Sequence, residues 1–184
     1  VVKIDWALDT LDWLAVYPCQ NSDVLNLFYQ SVVNQFTVDS RRIRTNQWEM
    51  LKLLSEDLGF SVIFNAINPE LKETVRADRF IDLTGKFIAI YTLTESAGTR
   101  AKSILESMFP STKVRVSNNH GGSDKLKVLA RDSDYFVVAT RSAKHAATDF
   151  IKDNRGQERT DLIYPTGKGS SSIVSALLNA VSII

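Results

Sequence analysis

The sequence is poor in cysteine, proline and glycine, and it lacks any long apolar run. Of its 184 residues one is cysteine, four are proline and eight are glycine. The single cysteine, Cys19, excludes an internal disulfide and has no metal-ligand pattern around it, which favours a reducing compartment. No apolar run approaches the roughly 20 residues of a membrane span, and the chain opens without a signal-peptide pattern. We therefore expect a cytoplasmic protein that does not associate with a membrane.

The small net charge conceals a difference between the two halves of the chain. The whole sequence carries +1, but residues 1–84 hold 8 basic and 12 acidic side chains, and residues 85–184 hold 14 basic and 9 acidic ones. The halves therefore carry −4 and +5, which predicts two different surfaces. The positive excess is too mild to require nucleic acid. Because the chain begins with Val1 and Val2 rather than methionine, we also expect it to be one module of a longer protein.

Residues 1–84 are predicted to form a mostly helical subdomain. Apolar residues recur at intervals of three and four along three segments, as on the buried face of a helix. Asp23 suits the N-cap of the second helix, and the third runs from about Thr45 to Leu58, where Gly59 ends it. The aromatic residues of these segments are predicted to be core rather than a ligand platform; they are Trp6, Trp13, Phe28, Phe36 and Trp48.

The segment after the third helix has a weaker pattern. Residues 60–64 suit either a short strand or a buried linker. Pro69 suits the first turn of a further helix that runs toward Ala77. The predicted boundary of the helical subdomain follows at residue 84.

Residues 85–184 are predicted to form an α/β domain. Four apolar runs have the character of strands, and each is followed by a loop and a helical pattern, as in strand–helix units on a parallel sheet. Right-handed crossovers and short connections favour the strand order 2-1-3-4. The predicted fold is therefore α/β, with a four-stranded parallel Rossmann-like sheet preceded by the mostly helical subdomain. The predicted strands are 86–93, 113–116, 134–140 and 161–164.

The loops after the four strands carry the residues that suit ligand binding. In the order 2-1-3-4 the direction reverses between the first and third strands, and ligands bind in the crevice at the carboxyl ends there. The third loop is the most informative, because Arg141, Lys144 and His145 stand at a helix N-terminus, where cations oppose the helix dipole unless an anion offsets them. The alternative is that Arg141 and Lys144 reach outward into solvent. The predicted ligand-binding residues are Thr94, Gly98, Thr99, Arg100, His120, Gly121, Arg141, Ser142, Lys144, His145, Lys168, Gly169, Ser170 and Ser171.

Two glycines in these loops are expected to serve the ligand directly. Gly98, next to a helix start, would allow an anion to approach the free N–H groups there. Gly121 supplies unusual backbone angles beside His120, for which a ligand contact and a loop-stabilising hydrogen bond are equally weighted.

Two common nucleotide-binding motifs are missing from the sequence. There is no G-x-G-x-x-G, so the dinucleotide fingerprint is absent. A P-loop reading of Lys168 fails because Gly169 stands where a serine or threonine must follow the lysine. Among the four loops only Glu95 carries a negative charge, whereas a magnesium–nucleotide site would need carboxylates. We predict no cofactor, no metal and no assigned catalytic residue.

The C-terminal half resembles a known family in the order of its loop motifs. The residues that carry the resemblance are His120–Gly121 after the second strand, Ser142–His145 after the third and Gly169–Ser172 after the fourth. The family is an uncharacterised bacterial family of Rossmann-like domains of unknown function. The resemblance implies a shared site rather than a shared activity, and it covers about the last hundred residues.

Three functions follow from these observations. The first is a binding or sensing module for an anionic ligand, such as a nucleotide, a nucleic-acid end or another phosphorylated group. The second is a hydrolase or transferase that uses His145 or His120 with a serine of the 170–172 run. The third is a structural interaction domain, whose helical half binds a partner subunit or the rest of a longer chain. We favour the first, with a nucleotide or nucleic acid as the expected partner.

Overall fold

The protein folds into two compact units, Val1–Arg79 and Phe80–Ile184. The computed structural model describes residues 4–72, 82–119, 121–139, 145–156 and 158–181. Within this described part, no helix is both long enough and apolar enough to cross a membrane.

The described residues of the first unit form four α-helices and a short 3-10 turn. Helix α1 packs against α2 and α3, and α4 packs against α2 and α3. Asn21 caps α2, because its side-chain oxygen accepts the backbone N–H groups of Asp23 and Val24. The bounds are α1 Ile4–Val16, α2 Ser22–Val38, the 3-10 turn Ser40–Arg42, α3 Thr45–Asp57 and α4 Ser61–Lys72.

The core of the first unit combines aliphatic side chains with a hydrogen-bonded tyrosine. The Tyr29 ring stacks on Phe60 at 4.2 Å between ring centroids. Its hydroxyl lies 2.6 Å from the Ser55 hydroxyl, and burial raises the pKa of Tyr29. Other large apolar residues buried in this unit include Leu8, Leu11, Phe36, Leu51 and Leu54.

Several sequence-based expectations for this unit were wrong. Asp23 was predicted as the N-cap of α2, but the cap is Asn21, two residues earlier, and the Asp23 backbone N–H donates to its side chain. Phe60 directly precedes α4 and residues 61–64 form its first turn, so neither a strand nor a linker forms there. Pro69 lies in the third turn of α4 rather than in the first turn of a later helix, and residues 73–77 lie outside the described residues.

The aromatic residues of the first unit are divided between core and surface. Phe36 and Trp48 are buried as predicted. Trp6 and Trp13 are 58% and 59% exposed, so their assignment to the core was wrong. Helical spacing places residues on one face, but it does not show whether another element covers that face.

The second unit is a parallel α/β sheet with helices on both faces. Its four described strands are all parallel in the order β2-β1-β3-β4, which confirms the predicted fold and strand order. The strands are β1 Phe87–Thr92, β2 Lys113–Ser117, β3 Tyr135–Ala139 and β4 Leu162–Ile163. The helices are α5 Glu95–Met108, α6 Asp124–Asp132, α7 His145–Asn154 and α8 Ser170–Ala180.

The strand–helix order places the helices in two layers. Helices α5 and α8 pack against each other, and α6 packs against α7. Tyr91 of β1 and Phe136 of β3 belong to the buried cluster that includes residues of α6 and α7. The alternate residue Thr92 faces α5, since its methyl group lies 2.9 Å from the position of a Cβ on Gly98. The sheet is thus covered on both faces, as its almost continuous apolar strands predict.

Arg155 joins the segments that lead into β3 and β4 at the amino edge of the sheet. Arg155, just after α7, donates to the backbone carbonyls of Ala130, Asp134 and Thr160 and to the hydroxyls of Ser133 and Thr160. Its guanidinium lies 5.8 Å from the centroid of the Phe136 ring. These contacts join the end of α6, the start of β3 and the approach to β4. The side chain therefore has a structural role at this edge.

Candidate functional site

The candidate site is the carboxyl edge of the sheet, where the strand order reverses between β1 and β3. These two strands are hydrogen-bonded neighbours, and the chain leaves them toward opposite layers, through α5 and α7. In open sheets of this kind the crevice at such a reversal is the usual ligand site.

The loops at this edge are shorter than the sequence pattern suggested. Helix α5 begins at Glu95 and α8 at Ser170, so many of the predicted loop residues belong to the first two turns of helices. Serine and threonine are tolerated in these turns because their hydroxyls can bond to nearby backbone groups. Thr99 does this, since its hydroxyl donates to the Glu95 carbonyl at 3.0 Å.

Helix α5 begins at the strand reversal without a side-chain cap. Thr94 occupies the N-cap position, but among the described residues its side chain accepts no hydrogen bond from the first turn. The Thr94 backbone N–H instead donates to the Thr92 hydroxyl at 3.2 Å. The first N–H groups of a helix have no carbonyl partner within the helix and carry the positive end of its dipole. The start of α5 is therefore suited to receive an anion.

Gly98 serves packing between helix and sheet. A Cβ at this position would lie 2.6 Å from Val116 Cγ1 and 2.9 Å from Thr92 Cγ2. Gly98 is buried in the face of α5 that lies on β1 and β2. The contact accounts for the glycine without a ligand, and its predicted role in anion approach stays a prediction.

Arg100 and Thr99 lie in the second turn of α5, beyond the loop in which they were expected. Thr99 is exposed and Arg100 is half-buried. Arg100 takes part in an interaction within the protein, so it is not an unpaired cation.

The start of α8 lies in the same layer as α5. Gly169 is its N-cap and contributes no side chain to the capping of the first turn. Ser170 and Ser171 are 0% and 1% exposed and interact within the protein, whereas Lys168 before them is exposed. A nucleophilic serine must reach its substrate, so this burial disfavours the serine-based enzyme.

The loop after β2 folds back over the other face of the sheet. The Tyr91 hydroxyl of β1 donates to the Asn119 carbonyl at 2.8 Å. At Gly122 a Cβ would meet the Phe150 ring of α7 at 2.6 Å, whereas nothing lies within 4 Å of a Cβ on Gly121. A tyrosine is protonated at neutral pH, so the Tyr91 hydroxyl is the donor, and burial raises its pKa further. The residues around the predicted His120 site are thus tied to β1 and α7.

The described residues divide the predicted site into two groups on either side of the carboxyl edge. Thr94, Lys168 and Gly169 lie with the α5–α8 layer, whereas Gly121 directly precedes Gly122, which packs against α7. For His145 the structure describes the backbone, at the first residue of α7. His120, Arg141, Ser142 and Lys144 lie outside the described residues.

Two residues of this edge were missed in the sequence. Thr92 and Tyr91 end β1, and both carry a polar group at a buried position. The signal was present, because a hydroxyl at the carboxyl end of an otherwise apolar central strand needs a partner. The identity of the partners could not be read from the sequence. In the part of the chain that the structure describes, no three histidine, cysteine or acidic side chains are grouped to hold a metal ion.

The model of a family described as DpdD-like matches residues 1–176. The chain belongs to the DpdD-like family. This family is uncharacterised, as expected from the sequence, but the match is not confined to the C-terminal half. The matched residues therefore include the helical unit. No curated protein and no solved structure matches the chain.

Proposed function

We propose that the chain is a binding or sensing module for an anionic ligand, which it holds at the carboxyl edge of the sheet between β1 and β3. The ligand class is a nucleotide, a nucleic-acid end or another phosphorylated group. The observation that carries the proposal is the start of α5, which has no side-chain cap at the position where ligands bind in such sheets.

The α6 start provides the contrast that supports this choice. There the Ser123 hydroxyl accepts the Leu126 N–H at 3.2 Å, which caps the helix from within the protein. Helix α6 starts beside the edge strand β2, whereas α5 follows the central strand β1. Helix α8, with Gly169 at its N-cap, also lacks a side-chain cap, but it follows the outer strand β4. Of these two uncapped starts, that of α5 lies at the strand reversal, where a bound anion would complete the first turn.

The charges of the neighbouring sequence support the same ligand class. Arg141 and Lys144 follow β3, the strand beside β1, and no acidic residue lies between positions 140 and 148. Glu95 is the acidic residue in the first turn of α5, and it is exposed. A phosphate group would offset the positive charge of these basic residues and would also accept hydrogen bonds from the N–H groups of α5.

A thermal-shift titration of the whole chain tests the proposal. The probes are inorganic phosphate, mononucleotides, cyclic nucleotides and short DNA and RNA oligomers. A ligand at about 100 times its Kd stabilises by about 2.7 kcal/mol, which raises the melting temperature of a chain of this size by several degrees. We expect a concentration-dependent rise that is lost in Arg141→Ala and retained in Lys152→Ala, an equal charge change in the last turn of α7.

Two outcomes would contradict the proposal. One is the absence of a shift with every probe. The other is a shift of equal size in Arg141→Ala and wild type, which would place binding elsewhere. His145→Ala separates sensing from catalysis, because a catalytic base loses turnover while affinity is kept.

A second candidate function, an interaction domain, is favoured by the surface of α1. Trp6, Trp13 and Tyr17 are each more than half exposed and recur at helical spacing along one stripe. Exposed aromatic rings of this kind are typical of protein interfaces. If the stripe serves a partner, Trp13→Ser leaves the urea midpoint unchanged, whereas Trp48→Ser in the core lowers it strongly. A large loss in Trp13→Ser would assign this ring to folding instead.

A further inference from the structure

A groove of about 730 Å³ runs beside the edge strand β2, on the face of the sheet that carries α6. Its walls extend from Phe87 and Lys113, at the amino ends of the strands, to Asn118 and Asn119 beyond the carboxyl end of β2. Val128 and Leu129 of helix α6 line the opposite wall. The groove is separate from the start of α5, which belongs to the other layer.

Among the described strands, none pairs with the outer side of β2 along this groove. Strand β2 ends the described sheet, with β1 on its inner side. The Lys113 N–H donates to the Lys86 carbonyl at 3.0 Å, so the backbone groups of residues 113, 115 and 117 point toward β1. The alternation of a strand then directs the N–H and C=O groups of Val114 and Val116 to the open edge.

The side chains of β2 alternate in chemistry as well as in direction. Lys113 and Arg115 are exposed and line the groove, and the Lys113 ammonium lies 4.9 Å from the centroid of the Phe87 ring. Val114 and Val116 point to the α5 face, where Val116 approaches Gly98. A strand added beside β2 would thus meet basic groups on one face and apolar groups on the other.

The charges of α6 leave the groove basic. Lys125 adds a third cation to the walls, which also contain Asp124 and Asp132. Asp132 already accepts two hydrogen bonds from Arg131, at 2.6 and 3.1 Å, and this pairing lowers its pKa. With Asp132 paired, the walls of the groove carry three basic side chains, Lys113, Arg115 and Lys125, and one further acidic side chain, Asp124. The excess favours a ligand that carries carboxylates.

A second copy of the chain is a poor occupant. Antiparallel pairing of two β2 strands centred on Arg115 would place the two Arg115 side chains opposite each other. Like charges in directly opposed positions destabilise a strand pair, and edge strands use such charges to prevent self-association.

We propose that the β2 edge and its groove bind an extended acidic segment of a partner protein, which adds to the sheet as a fifth strand. The segment has alternating residues: aspartate or glutamate faces Lys113 and Arg115, and aliphatic residues face the side of Val114 and Val116. Backbone pairing supplies affinity, and the alternation supplies specificity and register.

The test uses a fluorescein-labelled seven-residue peptide of alternating glutamate and valine, titrated with the whole chain and followed by anisotropy. We expect saturable binding, with a loss of at least tenfold in affinity for Arg115→Glu. Lys127→Glu serves as the matched control, because Lys127 is exposed on α6 and does not line the groove. Hydrogen exchange should slow at the amides of Val114 and Val116 when the peptide is bound.

Two altered peptides distinguish strand addition from simple charge attraction. A block peptide with the same composition, glutamates first and valines second, should bind at least tenfold more weakly, because its charges cannot alternate. A peptide with N-methylated valines should also bind at least tenfold more weakly, since it loses backbone donors. No binding, equal binding of all three peptides, or binding without protection of Val114 and Val116 would overturn the proposal.

Discussion

The two ends of the sheet satisfy their polar groups in different ways. At the amino edge, Arg155 donates hydrogen bonds to carbonyls and hydroxyls from three segments. The Asp134 carboxylate accepts a hydrogen bond from the Phe87 N–H and forms an ion pair with Arg159. At the carboxyl edge, α5 starts without a side-chain cap among the described residues. At the amino edge, polar groups are thus paired with other residues of the protein. At the carboxyl edge, the first N–H groups of α5 have no side-chain acceptor at the N-cap.

This difference between the two edges predicts which substitutions should affect stability and which should affect binding. A polar group that already has its partners contributes to folding, and its loss leaves buried groups unsatisfied. A helix start that lacks a cap gives up some stability, which a bound anion can restore. We therefore expect the amino edge to control the free energy of unfolding and the carboxyl edge to control ligand affinity.

The largest effect is expected at the amino edge. Arg155→Ala removes several hydrogen bonds from a half-buried guanidinium and leaves the Ala130 and Asp134 carbonyls without this donor. We expect a loss of about 3 kcal/mol in the free energy of unfolding, since hydrogen bonds to charged groups are each worth about 1.5–3 kcal/mol and their effects are not additive. Urea unfolding followed by circular dichroism measures it.

Arg131→Ala is the control for this prediction. Arg131 is exposed and pairs with its neighbour Asp132, so its removal should leave the urea midpoint almost unchanged. Equal stability of Arg155→Ala and wild type, or a loss of anion affinity in the folded Arg155→Ala protein, would contradict the division between the two edges.

A smaller effect is expected where the carboxyl edge itself has a packing role. In Gly98→Ala the added Cβ meets Val116 and Thr92 at less than 3 Å, inside a buried contact between helix and sheet. Overpacking of this kind costs about 1–3 kcal/mol, and the higher helix propensity of alanine offsets up to about 1 kcal/mol of it. We expect a net destabilisation of about 1–2 kcal/mol, measured by urea unfolding.

Gly121→Ala provides the matched comparison. No atom lies within 4 Å of a Cβ at Gly121, so the same substitution should have little effect on stability there. If Gly98→Ala is as stable as Gly121→Ala, the close approach of α5 to the sheet is not what requires glycine at position 98.

The pH dependence of stability tests the contact between Tyr91 of β1 and Asn119 in the loop after β2. Burial raises the pKa of Tyr91 above its ordinary value of about 10. The folded protein then keeps a proton that the unfolded chain has lost, so stability falls as the pH rises from about 10 through the folded pKa. Tyr91→Phe should cost about 1 kcal/mol at pH 8, through the lost hydrogen bond to Asn119, and should reduce the alkaline loss.

Tyr29 is the internal reference for this measurement. Its pKa is also raised by burial, but it lies in the helical unit. Tyr29→Phe should reduce the alkaline loss without any effect on anion binding at the sheet. An alkaline unfolding profile that is identical in wild type and Tyr91→Phe would show that Tyr91 ionises as freely as an exposed tyrosine.

The sequence predicted the sheet well because its signals are local. Each strand is a short apolar run followed by a helical pattern, and handedness rules then restrict the order to 2-1-3-4. The helical unit was harder for the same reason. The spacing that buries Phe36 and Trp48 also recurs at Trp6 and Trp13, and only tertiary packing decides which face is covered.

The strand order that defines the candidate crevice was predictable, whereas the contacts at its edge were not. The crevice follows from the strand order, whereas the contacts within it depend on packing across elements. Gly98 illustrates this, because a glycine near a helix start suits either an anion or a nearby strand, and Val116 of β2 is what lies against it. Tyr91 and Asn119 meet across 28 positions of the sequence, a distance that no local pattern encodes.

The smallest and most specific effect is expected at the start of α5. Thr94→Asp places a carboxylate at the uncapped N-terminus, where it can accept the first N–H groups and interact with the helix dipole. We expect the free energy of unfolding to rise by about 0.5–1 kcal/mol while anion binding falls at least tenfold, because the carboxylate occupies the place of the ligand. Ser103→Asp, the same change in charge on an exposed turn of α5, should alter neither quantity appreciably. A stability gain without loss of binding would separate the anion site from the start of α5, whereas opposite changes in the two quantities would identify the missing cap as the place of the ligand.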